Sequence, residues 1–159
     1  MTTAVYTGSF DPLHDGHMSI VEQAARQFDR VVVAVLSNPE KVHGMFSISD
    51  RVELIQATVQ HLGNVEVMHH SGMAVEVAEA TSGDFFIRSC HKENHHELSM
   101  ALMNEEISAV PTVFLVADAA TGWVSSSFVR LAATSGRLDE ACNVVPPAVA
   151  AAIRSRAST

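Results

Sequence analysis

Two cysteines in 159 residues, Cys90 and Cys142, are too few and too far apart in sequence for a disulfide framework or a four-cysteine metal site. Positive charge is also scarce: ten Lys and Arg stand against eighteen Asp and Glu, a formal charge of −8, which leaves no broad basic face for nucleic acid. Anionic small molecules stay open, because a few local donors suffice to hold a phosphate. No window approaches the ~18 uninterrupted apolar residues of a membrane span. The opening MTTAVYTG carries no basic segment ahead of an apolar one. Internal repeats and low-complexity linkers are lacking too. These absences predict a reduced, soluble, cytoplasmic protein of one domain, residues 1–159, without nucleic-acid or membrane partners. Its 47% of hydrophobic residues is ample for a packed core.

What the chain does have is alternation. Strand-length apolar runs recur at 4–7, 30–36, 65–68, 85–88 and 112–117. The second and fifth, RVVVAVL and TVFLVA, are continuous rather than alternating, which suits strands covered on both faces. Between them, 16–28, 50–61, 73–80 and 97–107 carry apolar residues at helical spacing. From Ser125 the chain reads as helical again, broken at Pro146-Pro147 before a small Ala-rich helix over 148–156. This order predicts an α/β fold, a Rossmann-like doubly wound sheet of five parallel strands with helices on both faces. Ligands of such sheets sit at the carboxyl ends of the strands, where the strand order reverses.

Residues 7–20, TGSFDPLHDGHMSI, follow the first strand directly. Gly8 lets the backbone turn, and Asp11-Pro12 stiffens the loop. Gly16 precedes a helix whose first amides and dipole favour an anion. His14 and His17 flank that point, three residues apart and on one side of the opening turn. Two imidazoles at such a place can donate to phosphoryl oxygens as charge builds on them, with no covalent nucleophile required. On residue types alone, a turn rich in helix-capping residues is an equally good reading.

Gly8–Pro12 (GSFDP) followed by His14-Asp15-Gly16-His17 resembles the G-[ST]-F-D-P and HxGH signatures of the nucleotidyltransferase superfamily. Within it the whole chain most resembles the phosphopantetheine adenylyltransferase family. Asn38-Pro39-Glu40-Lys41 with Met45-Phe46, HLGNVEV at 61–67, MALMN at 100–104, and VSSS at 124–127 followed by Arg130 all fall in that family's order. The resemblance implies transfer of AMP from ATP to 4'-phosphopantetheine, giving dephospho-CoA and pyrophosphate by in-line attack. His17, Lys41 and His14 would be catalytic. Gly8, Ser9, Phe10, Gly16, Arg88, His91, Glu97, Ser125, Ser126 and Ser127 would bind ATP. Ser9, Lys41, Met73, Ala74 and Arg88 would bind the acceptor. Mg2+ would travel with the triphosphate, keeping most of its waters. A homo-oligomer, up to a hexamer, is implied as well.

The chain departs from the family at several positions. His14 stands where the family usually has threonine, and Arg88-Ser89-Cys90-His91 stands for [KR]-G-L-R. A histidine offers one donor and is mostly neutral at pH 7, whereas an arginine holds two phosphate oxygens in a fork. The segment Lys92–Glu97 reads as shorter than the family's, and His69-His70 just before Met73 is unusual. His91 and His95, four apart, lack the spacing of a zinc motif, so no protein metal site is expected. These departures motivate two alternatives: an adenylyl- or cytidylyltransferase with another nucleoside triphosphate or phosphate-bearing acceptor, and a nucleotide-binding protein without turnover.

Overall fold

The computed structural model describes residues 1–37, 44–90 and 95–158, with His95 described in its backbone alone. The elements run β1 (Thr3–Gly8), α1 (Asp15–Gln27), β2 (Arg30–Ser37), α2 (Ile48–Val59), β3 (Val65–Ser71), α3 (Ala74–Thr81), β4 (Phe85–Ser89), α4 (His95–Ser108), β5 (Thr112–Leu115), α5 (Ser126–Thr134), α6 (Leu138–Cys142) and α7 (Pro147–Ala157). The five strands form one sheet in the order β3-β2-β1-β4-β5, and every pairing is parallel. The order reverses between β1 and β4, which makes their carboxyl ends the expected ligand edge.

Two apolar layers cover the sheet. One face carries Ala4, Tyr6, Val31, Val33, Val35 and Ile87 against α1, α2, α5, α6 and α7, through residues such as Ile20, Ile55, Val129 and Ile153. The other carries Val5, Val32, Ala34 and Phe86 against Ala74, Val75, Val77 and Ala78 of α3. Successive residues of β1 and β2 therefore enter opposite cores, and Val31–Val35 are all buried, as their unbroken apolar run requires.

The fifth strand departs from expectation. It ends at Leu115 rather than at 117, and Thr112, Val113 and Phe114 are only half-buried. Its TVFLVA run predicts cover on both faces, but the strand lies at the sheet edge beside β4 alone. Helix starts move by one or two residues where caps decide them. Ser47 accepts from the Asp50 amide at 3.1 Å and starts α2 at Ile48, whereas Pro147 opens α7 instead of preceding it.

Candidate active site

The loop leaving β1 is held by its neighbours at nearly every residue. The Asp11 carboxylate accepts from the amides of Met45 and Phe46 at 2.8 and 2.9 Å and pairs with Arg51 Nε at 3.3 Å. Arg51 also donates to the Ser9 carbonyl at 3.2 Å, and Arg130 donates to the Asp11 carbonyl. Ser126 Oγ donates to the Pro12 carbonyl at 2.9 Å, and the Asp11–Pro12 peptide is cis. Phe10 sits at φ +44°, in the left-handed region that non-glycine residues rarely adopt. Such a conformation persists only where surrounding contacts over-determine it, which is what this set of hydrogen bonds does.

The two signature histidines cap α1 reciprocally. His14 is the N-cap: its Nδ1 accepts from the His17 amide at 3.3 Å, and His17 Nδ1 accepts from the His14 amide at 3.3 Å. Their rings stack with centroids 3.6 Å apart. An Nδ1 that accepts carries no proton, so each neutral ring bears its hydrogen on Nε2. Phe10 meets the His17 ring edge-on at 5.0 Å, and Tyr6 meets Phe10 at 5.3 Å. A Cβ on Gly16 would lie 3.0 Å from the His14 ring and from the Thr121 carbonyl, so any side chain there requires these neighbours to give by a few tenths of an ångström.

These groups form one wall of a cleft of about 390 Å³ at the β1–β4 switch point. Arg88 and Ser89 at the end of β4, Glu97 of α4, and Trp123 to Ser126 ahead of α5 complete it. Arg88 faces Glu97, Nη1 to Oε2, at 3.5 Å, while its buried Nε has no partner among the described residues. The Tyr6 hydroxyl stays protonated at any physiological pH. Burial pushes it well above its ordinary value of 10, the Glu97 charge adds to the rise, and Arg88 opposes it. Ser125 caps α5 by accepting from the Phe128 amide at 3.1 Å. The cleft thus gathers two imidazoles, a guanidinium, hydroxyls and two helix N-termini, a donor-rich surface suited to a polyphosphate.

Of the residues predicted from sequence, the cleft brings together Gly8, Ser9, Phe10, His14, Gly16, His17, Arg88, Glu97, Ser125 and Ser126. Ser127 is not among the residues that line the cleft, and its hydroxyl accepts from Arg130 at 3.2 Å. Ser126, the first residue of α5, reaches the loop after β1 through its bond to the Pro12 carbonyl. Met73 and Ala74, at the turn from β3 to α3, also lie outside this cleft. Lys41 and His91 fall outside the described residues. Sequence reasoning missed Tyr6, which only its place two residues before Gly8 could have flagged. It also missed Asn104, quoted above inside MALMN without a role. Asn104 is 1% exposed, and among the described residues neither polar atom of its side-chain amide has a partner.

Comparison with known proteins accords with this geometry. Residues 5–132 match the cytidylyltransferase-like family model. The phosphopantetheine adenylyltransferase of Corynebacterium diphtheriae is 37% identical over 155 residues, covering 96% of each chain. That of Heliobacterium modesticaldum is 40% identical over 154 residues, 95% of this chain and 90% of its own. The chain belongs to the phosphopantetheine adenylyltransferase family. Among solved structures, a putative nicotinate-nucleotide adenylyltransferase from Vibrio parahaemolyticus aligns with a TM-score of 0.61 at 22% identity, covering 86% of this chain and 83% of that one. Thermotoga maritima TmcAL bound with alpha-thio ATP aligns at 0.68 and 13% identity, covering 98% of this chain and 56% of its own. At these identities the likeness is one of fold. This family member is an α/β nucleotidyltransferase with a five-stranded parallel sheet, and no described helix is long and apolar enough to cross a membrane.

Proposed function

We propose that this protein transfers the AMP part of ATP to 4'-phosphopantetheine, giving dephospho-CoA and pyrophosphate. The observation that carries the reading is the reciprocal His14–His17 cap, which fixes two imidazoles in the wall of a phosphate-suited cleft in a chain of this family. A phosphate oxygen of the acceptor attacks the α-phosphorus in line. One P–O bond forms, and the bond to the bridging oxygen of the β-phosphate breaks as pyrophosphate leaves. Negative charge on the α-phosphoryl oxygens is met by His17 and His14, whose rings are already oriented and need no rearrangement during reaction. Ser125 and Ser126 at the start of α5 hold the leaving pyrophosphate end, and Arg88 neutralises the phosphate nearest β4. Lys41 and His91 are assigned to the phosphoryl groups on the family's pattern.

We also assign Asn104 to the acceptor, on the strength of its buried side-chain amide. A buried amide with unmet donor and acceptor groups costs about 1–3 kcal/mol, and an amide-bearing acceptor such as the pantetheine arm satisfies both ends. Magnesium enters as part of the nucleotide substrate. Among the described residues the cleft offers Glu97 as its carboxylate, already opposite Arg88, and no cluster of three or more metal-ligating side chains. The assembly we assign is a homo-oligomer. Supporting it, Leu98, Leu102 and Ile107 of α4 are each more than half exposed, an apolar surface that a partner copy would cover.

The test is pyrophosphate release from purified protein with magnesium and ATP or CTP, each alone and with 4'-phosphopantetheine. Release with ATP plus phosphopantetheine is the expected result. Silence with every pair, despite nucleotide binding, would rule out the enzyme reading, and release with CTP would reassign the nucleotide.

A further inference from the structure

Separate from the cleft lies a second cavity, also of about 390 Å³, whose walls share no residue with it. Arg130, Ala133 and Thr134 of α5, Ile153 and Arg156 of α7, and Met45 line it. Its charge is unusual for this chain. In a protein of net charge −8, the arginines at 30, 51, 88, 137 and 154 each face a carboxylate. Among the described residues Arg26, Arg130 and Arg156 do not, and two of these three meet at this cavity.

Arg130 is anchored by neutral acceptors, the Asp11 carbonyl and Ser127 Oγ, which orient its guanidinium without cancelling its charge. Arg156 lies over the buried Phe46 ring, 5.5 Å from its centroid, a contact that likewise leaves the charge in place. Beneath them Met45, Ala133 and Ile153 supply apolar surface. Two uncancelled guanidiniums above an apolar wall suit a ligand with a doubly charged oxyanion at one end and an apolar body at the other.

We propose that this cavity is a second ligand site, distinct from the cleft, for a phosphomonoester carried on a compact apolar group. A ligand seated there touches Arg130 and Met45, the two cavity residues that also hold Asp11 in the loop after β1. The site is thereby joined by direct hydrogen bonds to the loop after β1, whose Ser9 and Phe10 line the cleft.

The test is residue-resolved amide NMR of the full chain titrated with phenyl phosphate, with inorganic phosphate and benzyl alcohol as the two halves of that probe. Saturable shifts are expected at Met45, Thr134 and Ala157 with phenyl phosphate, and weaker binding of either half. Arg156→Gln removes one charge-assisted contact from an exposed last turn and is expected to weaken binding about tenfold or more. Ala157→Trp, which fills the mouth without touching either arginine's charge, is expected to do the same. Equal affinity in both variants, or shifts confined to Gly8, Ser9 and Gly16 of the cleft, would overturn the proposal. So would a change of oligomeric mass in Arg156→Gln with no phenyl phosphate binding, which would make the cavity a contact between copies.

Discussion

His17 illustrates how much one side chain depends on another three residues away. Its Nδ1 accepts from the His14 amide, which fixes the ring that the proposed function sets against the developing phosphoryl charge. His17→Ala is expected to lower kcat by about 10²–10³, the cost of one oriented oxyanion donor, with ATP affinity nearly unchanged. Steady-state kinetics alongside equilibrium binding check the split, and a proportional loss of affinity would count against a transition-state role. His14 carries two duties that substitution separates. His14→Ala removes the cap and should cost about 1 kcal/mol of stability. His14→Thr, restoring the family's usual residue, keeps an oxygen that can accept from the His17 amide and should hold the melting temperature near that of the parent. Thermal unfolding of the two variants side by side decides this. The spacing of the pair was readable in HDGH; its reciprocity and tautomer were not, because they depend on backbone geometry that residue types do not specify.

At the scale of elements, the loop after β1 and the turn after β3 are both pinned by carboxylates. Asp11 reads in sequence as half of an Asp-Pro turn, yet its carboxylate reaches across 34 residues to the amide of Met45. Asp11→Ala strands Arg51 and two amides in a buried place and should destabilise the fold by about 3 kcal/mol, measured by denaturant unfolding. Glu76 does a similar service for the β3–α3 turn, accepting from the Met73 amide at 2.7 Å and meeting His70 Nε2 at 3.0 Å. The His70 contact first, and the Met73 amide second, hold its carboxyl below the ordinary glutamate value of 4.5. Since the folded state binds this proton less readily than the unfolded state, the stabilisation is present above that ordinary value and is lost as pH falls through the lowered one. The melting temperature should therefore fall on acidification below about pH 4.5, with a shallower fall in Glu76→Gln. An identical slope in that variant would show that Glu76 is not linked to stability.

For the molecule as a whole, the assembly proposed above would cover the exposed Leu98 and Leu102, which share one face of α4. Leu102 is 62% exposed; Leu102→Glu places a charge where a partner copy would bury it and should lower the mass seen by light scattering while far-ultraviolet circular dichroism stays unchanged. The alternation of apolar runs and helical periods determined the five parallel strands, because period and β-branching are local properties that packing then exploits. The GSFDP and HDGH motifs likewise placed six of the cleft residues in advance, Gly8, Ser9, Phe10, His14, Gly16 and His17, and the family resemblance further along the chain placed Arg88, Glu97, Ser125 and Ser126, since all lie in a few short segments at strand ends and helix starts. Tertiary structure alone decided the rest. It made the fifth strand an edge, paired Ser127 with Arg130, drew Asp11 to Met45 and left the Asn104 amide without a partner among the described residues. Each of these is set by which surfaces meet across distant parts of the chain, and no local spacing encodes such a meeting.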